Sequence, residues 1–253
     1  MIPSPIHRAL SVISAHGVQS LLMGGHACIL YGAAEFRRDA DIAILATPEN
    51  LRRLQAAVTA LEAAVVAVPP FEARYLARGH AVHFRCERED VRGLRIDVMA
   101  RMRGVDEFPR LWERRTTLTI AADGAPSLDV DLLALPDLVA AKKTQRDKDW
   151  PMLRRLVETN YFEFREQPTP ERIAFWLSEL RTGALLFELV RAVPKQTANA
   201  WSRRAAVAAA ISGDVDVIEV ALSAEQEHER ALDRAYWAPL RAELESLRRS
   251  HED

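Results

Sequence analysis

The chain has 253 residues, of which 34 are Lys or Arg, 36 are Asp or Glu and 49% are hydrophobic. This composition is typical of a globular protein with one or two domains. The formal net charge of -2 argues against a protein that coats nucleic acid with a uniformly basic surface, although it is compatible with a local basic patch. Cys28 and Cys86 match neither a disulfide framework nor a zinc motif, so we expect buried thiols in a reducing compartment.

The sequence contains no feature that would direct the protein to a membrane. No apolar run approaches the roughly 18 to 20 residues that a membrane-spanning helix needs. The stretch from Met1 to His7 lacks the basic flank and the apolar segment of a secretory signal peptide. We therefore expect a cytoplasmic protein without a membrane partner.

The first half of the chain mixes strand-like and helix-like patterns. The short apolar run from Gln19 to Met23 ends at two glycines, and the apolar residues that follow predict a helix beginning directly after the glycines. Residues 39–45 alternate between apolar and polar, which predicts a half-buried strand with two aspartates on one face. Thr47 and Pro48 are typical of a helix N-cap followed by the first helical residue.

Further alternating segments predict at least four strands in this half. Residues 81–87 and 94–99 are expected to pair through a turn at 88–93, and residues 116–121 and 127–132 are expected to pair around the turn Asp123-Gly124. Residues 1–135 are therefore predicted to form one domain of the α/β or α+β class.

The second half contains helical patterns and no convincing strand. We expect residues 136–253 to form a helical domain, because apolar residues recur at helical spacing and cap residues bound the segments. The boundaries expected from sequence are a helix beginning over Pro136 to Lys143, an interruption or restart at Trp150-Pro151, an N-cap at Thr169, a helix from Ala198 to Ile211 ended by Gly213, and a kink or break at Pro239.

Three carboxylates and a glycine pair are the candidates for chemistry. Gly24 and Gly25 would let the backbone approach a ligand closely and direct free N–H groups toward an anion. Asp39 and Asp41 share one strand face, and Asp97 lies on another predicted strand; such a group is costly to bury without neutralisation. Mg²⁺ prefers carboxylate and phosphate oxygens, so three acids on two strands suit a two-metal site for displacement at phosphorus.

In this order and spacing, these five residues resemble the motif of the nucleotidyltransferase superfamily related to DNA polymerase β. That motif is an apolar residue, a glycine pair, a D-x-D strand and a later apolar-flanked acid, and the resemblance covers most of residues 18–100. It implies an α+β fold, with a polymerase β-like palm of mixed sheet and helices followed by a C-terminal helical bundle. It also implies that Asp39, Asp41 and Asp97 are catalytic metal ligands for Mg²⁺, with a nucleoside triphosphate as substrate.

Within the superfamily, the chain looks most similar to the minimal and AbiEii-type toxin nucleotidyltransferases. Tyr31-Gly32 stands where these proteins often have His-Gly, Glu35 stands in place of the usual Arg, and Arg37 in place of the usual Thr. These departures leave the identity of the substrate open. Arg37 is a candidate for nucleotide binding, with pairing to the neighbouring aspartates as the alternative.

A second segment extends this resemblance. Lys142, Arg146 and Asp149 look like the K-x-x-x-R-x-K-D segment found downstream in toxin-type enzymes. The resemblance implies that Lys142 and Arg146 contact the nucleotide phosphates, whereas Asp149 is structural or contacts the nucleotide. The alternative is a solvated, charged helix face.

Together, these features predict a metal-dependent enzyme that transfers a nucleoside monophosphate from a nucleoside triphosphate to a hydroxyl acceptor and releases pyrophosphate. The acceptor could be tRNA, a protein or a small hydroxylated molecule such as an antibiotic, and a toxin-type enzyme would have an antitoxin partner. The alternative is a non-catalytic nucleotide-binding or regulatory protein on the same fold. The sequence leaves the preferred nucleotide and the oligomeric state open.

Overall fold

The computed structural model describes residues 4–33, 39–122 and 125–252. These residues form an α+β fold, in which a seven-stranded mixed sheet occupies the first half of the chain and helices follow it. Arg37 and the predicted turn at Asp123-Gly124 lie outside the described residues. None of the helices in the described part of the chain is long and apolar enough to cross a membrane.

Strands and helices are interspersed up to the last strand, and the later elements are all helical. The strands are β1 (Ser20–Met23), β2 (Asp39–Ile44), β3 (Ala63–Val65), β4 (Val82–Cys86), β5 (Arg95–Met99), β6 (Thr116–Ala122) and β7 (Ala125–Leu132). The helices are α1 (Ser4–Ala15), α2 (Gly24–Leu30), α3 (Pro48–Ala60), α4 (Ala73–Arg78), α5 (Phe108–Glu113), α6 (Leu135–Ala141), α7 (Asp149–Phe164), α8 (Pro170–Glu179), α9 (Gly183–Ala192), α10 (Lys195–Ala200), α11 (Ala205–Ser212) and α12 (Val215–Glu252).

The sheet has the strand order β3-β4-β5-β2-β1-β7-β6. Strand β2 runs parallel to β5 and antiparallel to β1, whereas β4 runs antiparallel to both β3 and β5. At the other edge, β7 is parallel to β1 and antiparallel to β6. The central parallel pair, β2 and β5, carries all three predicted carboxylates.

Alternation along β2 and β5 separates an apolar face from a polar one. Ile42, Ile44, Ile96 and Val98 are fully buried, as expected for residues that pack beneath a central pair of strands. Because side chains alternate along a strand, this burial leaves the aspartates of both strands on the opposite face. The apolar core therefore determines which way the polar residues of the pair project.

Several local predictions are confirmed. A helix does follow β1, although α2 begins at Gly24 and so includes the two glycines that were expected to precede it. Thr47 caps α3, where its side chain accepts a hydrogen bond from the backbone N–H of Asn50, and Thr169 caps α8 in the same way. Gly213 ends α11 in a left-handed conformation with φ of +87°.

The two cysteines are free and buried, as predicted. Cys28 lies in α2 and Cys86 ends β4. Burial raises the pKa of the Cys86 thiol to about 11, so this thiol stays protonated and unreactive at neutral pH.

The described residues divide into two compact units. The first unit contains residues 4–30, 39–141 and 236–252, and it includes the whole sheet. The second unit contains residues 31–33 and 142–235 and is helical. The units follow contacts rather than chain order, since the last part of α12 belongs with the sheet.

Two helix predictions are wrong. The helix expected from Ala198 to Ile211 is interrupted at residues 201–204, where the guanidinium of Arg204 donates hydrogen bonds to the carbonyls of Leu177 and Leu180. An uninterrupted helix would compete with these bonds, and composition alone does not show them.

The break considered at Pro239 does not occur, because α12 is continuous from Val215 to Glu252. Beyond the proline, Leu240 is buried and Glu243 bonds to Arg78 and His80. These contacts offset the hydrogen bond that proline cannot donate.

Candidate active site

The polar face of β2 and β5 brings the three predicted carboxylates onto neighbouring positions. Asp41 lies directly opposite Asp97 in the parallel register, and Asp39 lies two residues earlier on the same face of β2, opposite Arg95. We call Asp39, Asp41 and Asp97 the acidic cluster. The sequence predicted a shared strand face for the first two, and the register of the sheet adds the third.

Arg95 and His83 both bond to Asp97. The Arg95 guanidinium donates from Nε to Oδ1 at 2.9 Å and from Nη2 to Oδ2 at 2.7 Å. On β4, directly opposite Asp97, His83 lies with Nδ1 2.8 Å from Oδ1, where it donates because an ionised carboxylate only accepts. Arg95 Nη2 also lies 3.5 Å from Oδ2 of Asp39, so one guanidinium bridges two members of the acidic cluster.

These contacts keep Asp97 ionised. Burial of Asp97 would raise its pKa, but the hydrogen bonds from His83 and Arg95 outweigh that effect and hold the pKa below its usual range. The hydrogen bond to Asp97 raises the pKa of Arg95 further, with added attraction from Asp39 and Asp41. Asp97 is therefore ionised at neutral pH, with Arg95 as its counter-ion.

Gly24 has a steric role at this site. Its φ is +66°, and a Cβ built on it would overlap the Asp41 carboxylate and lie 2.7 Å from Cβ of Asp41. Met23, the preceding residue, is opposite Asp41 in the β1–β2 register. Position 24 thus requires glycine, because the Asp41 side chain packs against the backbone at the start of α2. Gly25 is buried in the same helix.

We expect Gly24→Ala to destabilise the protein by about 2–4 kcal/mol, because strain at positive φ and steric overlap with Asp41 add. The matched control is Gly93→Ala, which has φ of +77° but no atom within 4 Å of the added Cβ. Urea unfolding of both variants separates backbone strain from overlap. Equal losses of stability would show that the contact with Asp41 does not require glycine.

His26, a buried residue of α2, contacts β2 close to the acidic cluster. It is fully buried in the first turn of α2, and its Nδ1 lies 3.0 Å from the backbone carbonyl of Asp39. The structure gives it a contact with the first residue of β2, which ties α2 to the strand that carries two of the carboxylates.

The donor set of the acidic cluster suits a divalent cation. In the described residues, no group of three or more His, Cys, Asp or Glu side chains is arranged to hold a metal as it stands. Both oxygens of Asp97 instead accept hydrogen bonds from Arg95. Carboxylate oxygens are nevertheless the ligands that Mg²⁺ prefers, and the register aligns them on one face. A cation would neutralise the charge that Arg95 now offsets.

The predicted phosphate contacts Lys142 and Arg146 lie in the second unit and bond to Asp149. Asp149 is fully buried; it lies 3.4 Å from Nζ of Lys142 and 2.8 Å from Nε of Arg146, and it accepts a 2.6 Å hydrogen bond from Thr144. Burial would raise the pKa of Asp149, but the Lys142 charge, the Thr144 hydrogen bond and Arg146 together lower it. These contacts make the segment an ion-pair cluster around a buried carboxylate.

Arg95 and His83 are the site residues that sequence reasoning missed. A charged residue two positions before Asp97 shares its strand face, which was an available indication for Arg95. His83 requires the β4–β5 register, which the sequence does not specify.

Comparisons with known proteins add little to this geometry. The chain matches no family model, and no curated protein is significantly similar to it. Among solved structures, it is similar to JHP933 from Helicobacter pylori, with 12% identity, a TM-score of 0.37, and 93% of this chain and 95% of that chain covered. It is also similar to a proposed nucleotidyltransferase from H. pylori, with 12% identity, a TM-score of 0.35, and 90% and 95% covered. Because these values are low, the function must be argued from the chain's own residues.

Proposed function

We propose that the protein is a metal-dependent nucleotidyltransferase. The observation that supports this most directly is the β2–β5 register, which aligns Asp41 with Asp97 and leaves Asp39 on the same face. Three carboxylates on adjacent parallel strands suit phosphoryl chemistry, since divalent cations bridge such groups to phosphate oxygens. Gly24 adds to the argument because the backbone conformation after β1 is specifically adapted to the Asp41 side chain.

The residues of the acidic cluster would divide the work. Asp39 and Asp41 would hold the Mg²⁺ that binds the triphosphate, and Asp97 would complete a second metal position and orient the acceptor hydroxyl. Bound Mg²⁺ would supply charge neutralisation at the reacting phosphate. In the reaction, the acceptor oxygen forms a bond to the α-phosphorus, the bond to the β-phosphate oxygen breaks, and pyrophosphate leaves. With a nucleotide bound, Arg95 would contact a phosphate group or remain hydrogen-bonded to Asp97. The phosphate contacts of Lys142 and Arg146 remain predictions.

The proposed reaction also requires an acceptor that carries a hydroxyl group. A hydroxyl of tRNA, of a protein or of a small molecule would serve, and a toxin role would require an antitoxin partner. The near-neutral net charge gives a mild preference against an extensive RNA-binding surface. One observation favours the alternative, a non-catalytic nucleotide-binding protein: Arg95 already neutralises part of the acidic cluster without a metal.

The test combines nucleotide binding with nucleotide transfer. Labelled nucleoside triphosphates are incubated with bulk tRNA and with an aminoglycoside panel, in Mg²⁺ or in EDTA, and binding is measured under both conditions. We expect transfer of label to one acceptor class in Mg²⁺ only. Binding that is equal in EDTA, with no transfer to any acceptor, would instead support the non-catalytic alternative. Absence of any nucleotide binding would overturn both.

A further inference from the structure

A cavity of about 550 Å³ lies within the second unit, apart from the acidic cluster. One wall is the face of α7 that carries Trp150, Arg154 and Arg155, and the opposite wall is the part of α12 that includes Arg230. Arg181, from the connection between α8 and α9, completes the lining. Residues three and four apart on a helix share one face, which explains how α7 presents several cationic side chains together.

The acidic residues of this cavity already have partners. Asp147 pairs with Nη2 of Arg230 at 2.7 Å, and Glu219 accepts a 2.9 Å hydrogen bond from the backbone N–H of Gly183. Glu158 accepts a hydrogen bond from the hydroxyl of Thr182. Asp147 therefore offsets part of the charge of Arg230, whereas the bonds of Glu158 and Glu219 are made to uncharged donors.

Arg181 is the most buried cation of the lining, with 8% of its side chain exposed. Its Nη1 donates to Glu225 at 3.1 Å, but that carboxylate is shared with Arg204, which bonds to the same oxygen at 3.0 Å. Within the described residues, Nε of Arg181 and Nε of Arg230 are buried without a hydrogen-bond partner. Burial, followed by the charge of Arg204, lowers the pKa of Arg181. Glu179, Glu225 and Glu229 offset part of the Arg181 charge, and an added anion would give the guanidinium a further partner.

Both guanidinium groups also lie over the same aromatic ring. The centre of the Arg181 guanidinium is 5.4 Å, and that of Arg230 5.8 Å, from the centroid of Trp150. The indole Nε1 of Trp150 donates to the carbonyl of Thr144, so the ring is held in place. The ring limits where the two guanidinium groups can lie, and both residues whose Nε atoms lack a partner contribute to the lining of one cavity.

We propose that this cavity binds the phosphate group of a ligand. A phosphate presents several acceptor oxygens and more than one negative charge, which suits guanidinium donors that approach from different elements. The cavity volume lies in the range typical of small-molecule sites. The proposal does not depend on the nucleotidyltransferase proposal, because none of the residues that carry it belongs to the acidic cluster.

Isothermal titration calorimetry with inorganic pyrophosphate in EDTA tests the proposal, since chelation removes any metal that could hold pyrophosphate at the acidic cluster. We expect saturable binding by the wild type and about tenfold weaker binding by Arg154→Gln and by Arg181→Gln, as for the loss of a charge-assisted hydrogen bond. Arg154 is exposed, so its variant is expected to fold even if Arg181→Gln does not. Arg191→Gln is the matched control, an exposed helical arginine outside the cavity lining.

A second arm identifies the source of the phosphate. A short single-stranded RNA replaces pyrophosphate in the same titrations at constant salt. If Arg154→Gln weakens RNA binding as well, the phosphate belongs to a polynucleotide; if RNA binding is unchanged, it belongs to a free small molecule. Absence of saturable pyrophosphate binding, or equal affinities for the wild type, Arg154→Gln and Arg191→Gln, would overturn the proposal.

Discussion

Replacing Asp41 or Asp97 by Asn is expected to lower nucleotide transfer by about 10³-fold, the scale on which loss of a key electrostatic group affects catalysis. Asn keeps the size of Asp but removes the charge with which the acidic cluster would hold a cation. The Asp97 change also removes the acceptor charge for Arg95 and His83. The measurement is the initial rate of label transfer in Mg²⁺, with thermal unfolding to show that the fold is retained.

Asp90→Asn is a closely matched control. Asp90 accepts from Nε and Nη2 of Arg88 at 2.7 and 2.9 Å, much as Asp97 accepts from Arg95, but it lies in the turn between β4 and β5. The control therefore measures the effect of losing a carboxylate paired with arginine at a position outside the acidic cluster. Full activity in both the Asp41 and the Asp97 variants would contradict the proposed function. Equal losses of activity in all three variants would indicate a general structural effect.

Replacing Asp149 by Ala is expected to destabilise the protein by about 3–5 kcal/mol, the scale for removing one partner of a buried ion pair. Asp149 is fully buried, and Lys142, its partner, is also buried. Without the carboxylate, the Lys142 ammonium keeps the cost of burial and loses its counter-charge. Chemical unfolding of the wild type and the variant measures the difference in the free energy of unfolding.

Two controls separate the ion pair from other effects. Adding Lys142→Met to Asp149→Ala should recover part of the lost stability, because it removes the unpaired buried charge. Asp147→Ala changes a nearby carboxylate whose side chain is 91% exposed, and it should cost much less. A cost for Asp149→Ala similar to that of Asp147→Ala would show that the buried pair does not stabilise the unit.

The same carboxylate gives a pH dependence with a definite sign. The folded-state pKa of Asp149 is lowered, so its ionisation contributes stability above the unfolded-state pKa of about 3.9. That contribution is lost as the pH falls through the still lower folded-state pKa. The stability difference between the wild type and Asp149→Ala should therefore narrow below about pH 4.

The structure also explains how the acidic cluster exists without a bound cation. Two neighbouring strands place three carboxylates together, and Arg95 from one of these strands offsets part of their charge. Arg95 is 40% exposed, so water also screens the cluster. A metal that bound here would therefore compete with a guanidinium already in contact with Asp97. The contacts of Arg95 that stabilise the acidic cluster would therefore oppose binding of the metal on which the proposed activity depends.

Local features of the fold could be predicted from the sequence because their causes are local. Thr47 and Thr169 cap helices through their own hydroxyl groups, and Gly213 ends a helix because glycine adopts positive φ easily. Alternation along β2 placed Asp39 and Asp41 on one face for the same reason. Each of these inferences depends only on residues within a few positions of one another.

The helix predictions failed where distant contacts decided the outcome. The interruption at residues 201–204 accompanies hydrogen bonds from Arg204 to the end of α8, and α12 continues through Pro239 where later residues are held by the first unit. Neither partner lies near its counterpart in the sequence. Local helix propensity therefore could not predict where these helices are interrupted or continue.

By itself, the sequence predicted several strands and helix caps, the apolar faces of those strands and the identity of the candidate carboxylates. Only the tertiary structure decided that Asp41 lies opposite Asp97, that Arg95 and His83 bond to that carboxylate, and that Gly24 accommodates Asp41. The pairing register of β2 and β5 is non-local, since it follows from packing of their buried faces against the rest of the core. The sequence therefore showed which residues could carry out the candidate chemistry, whereas their spatial arrangement depends on the folded sheet.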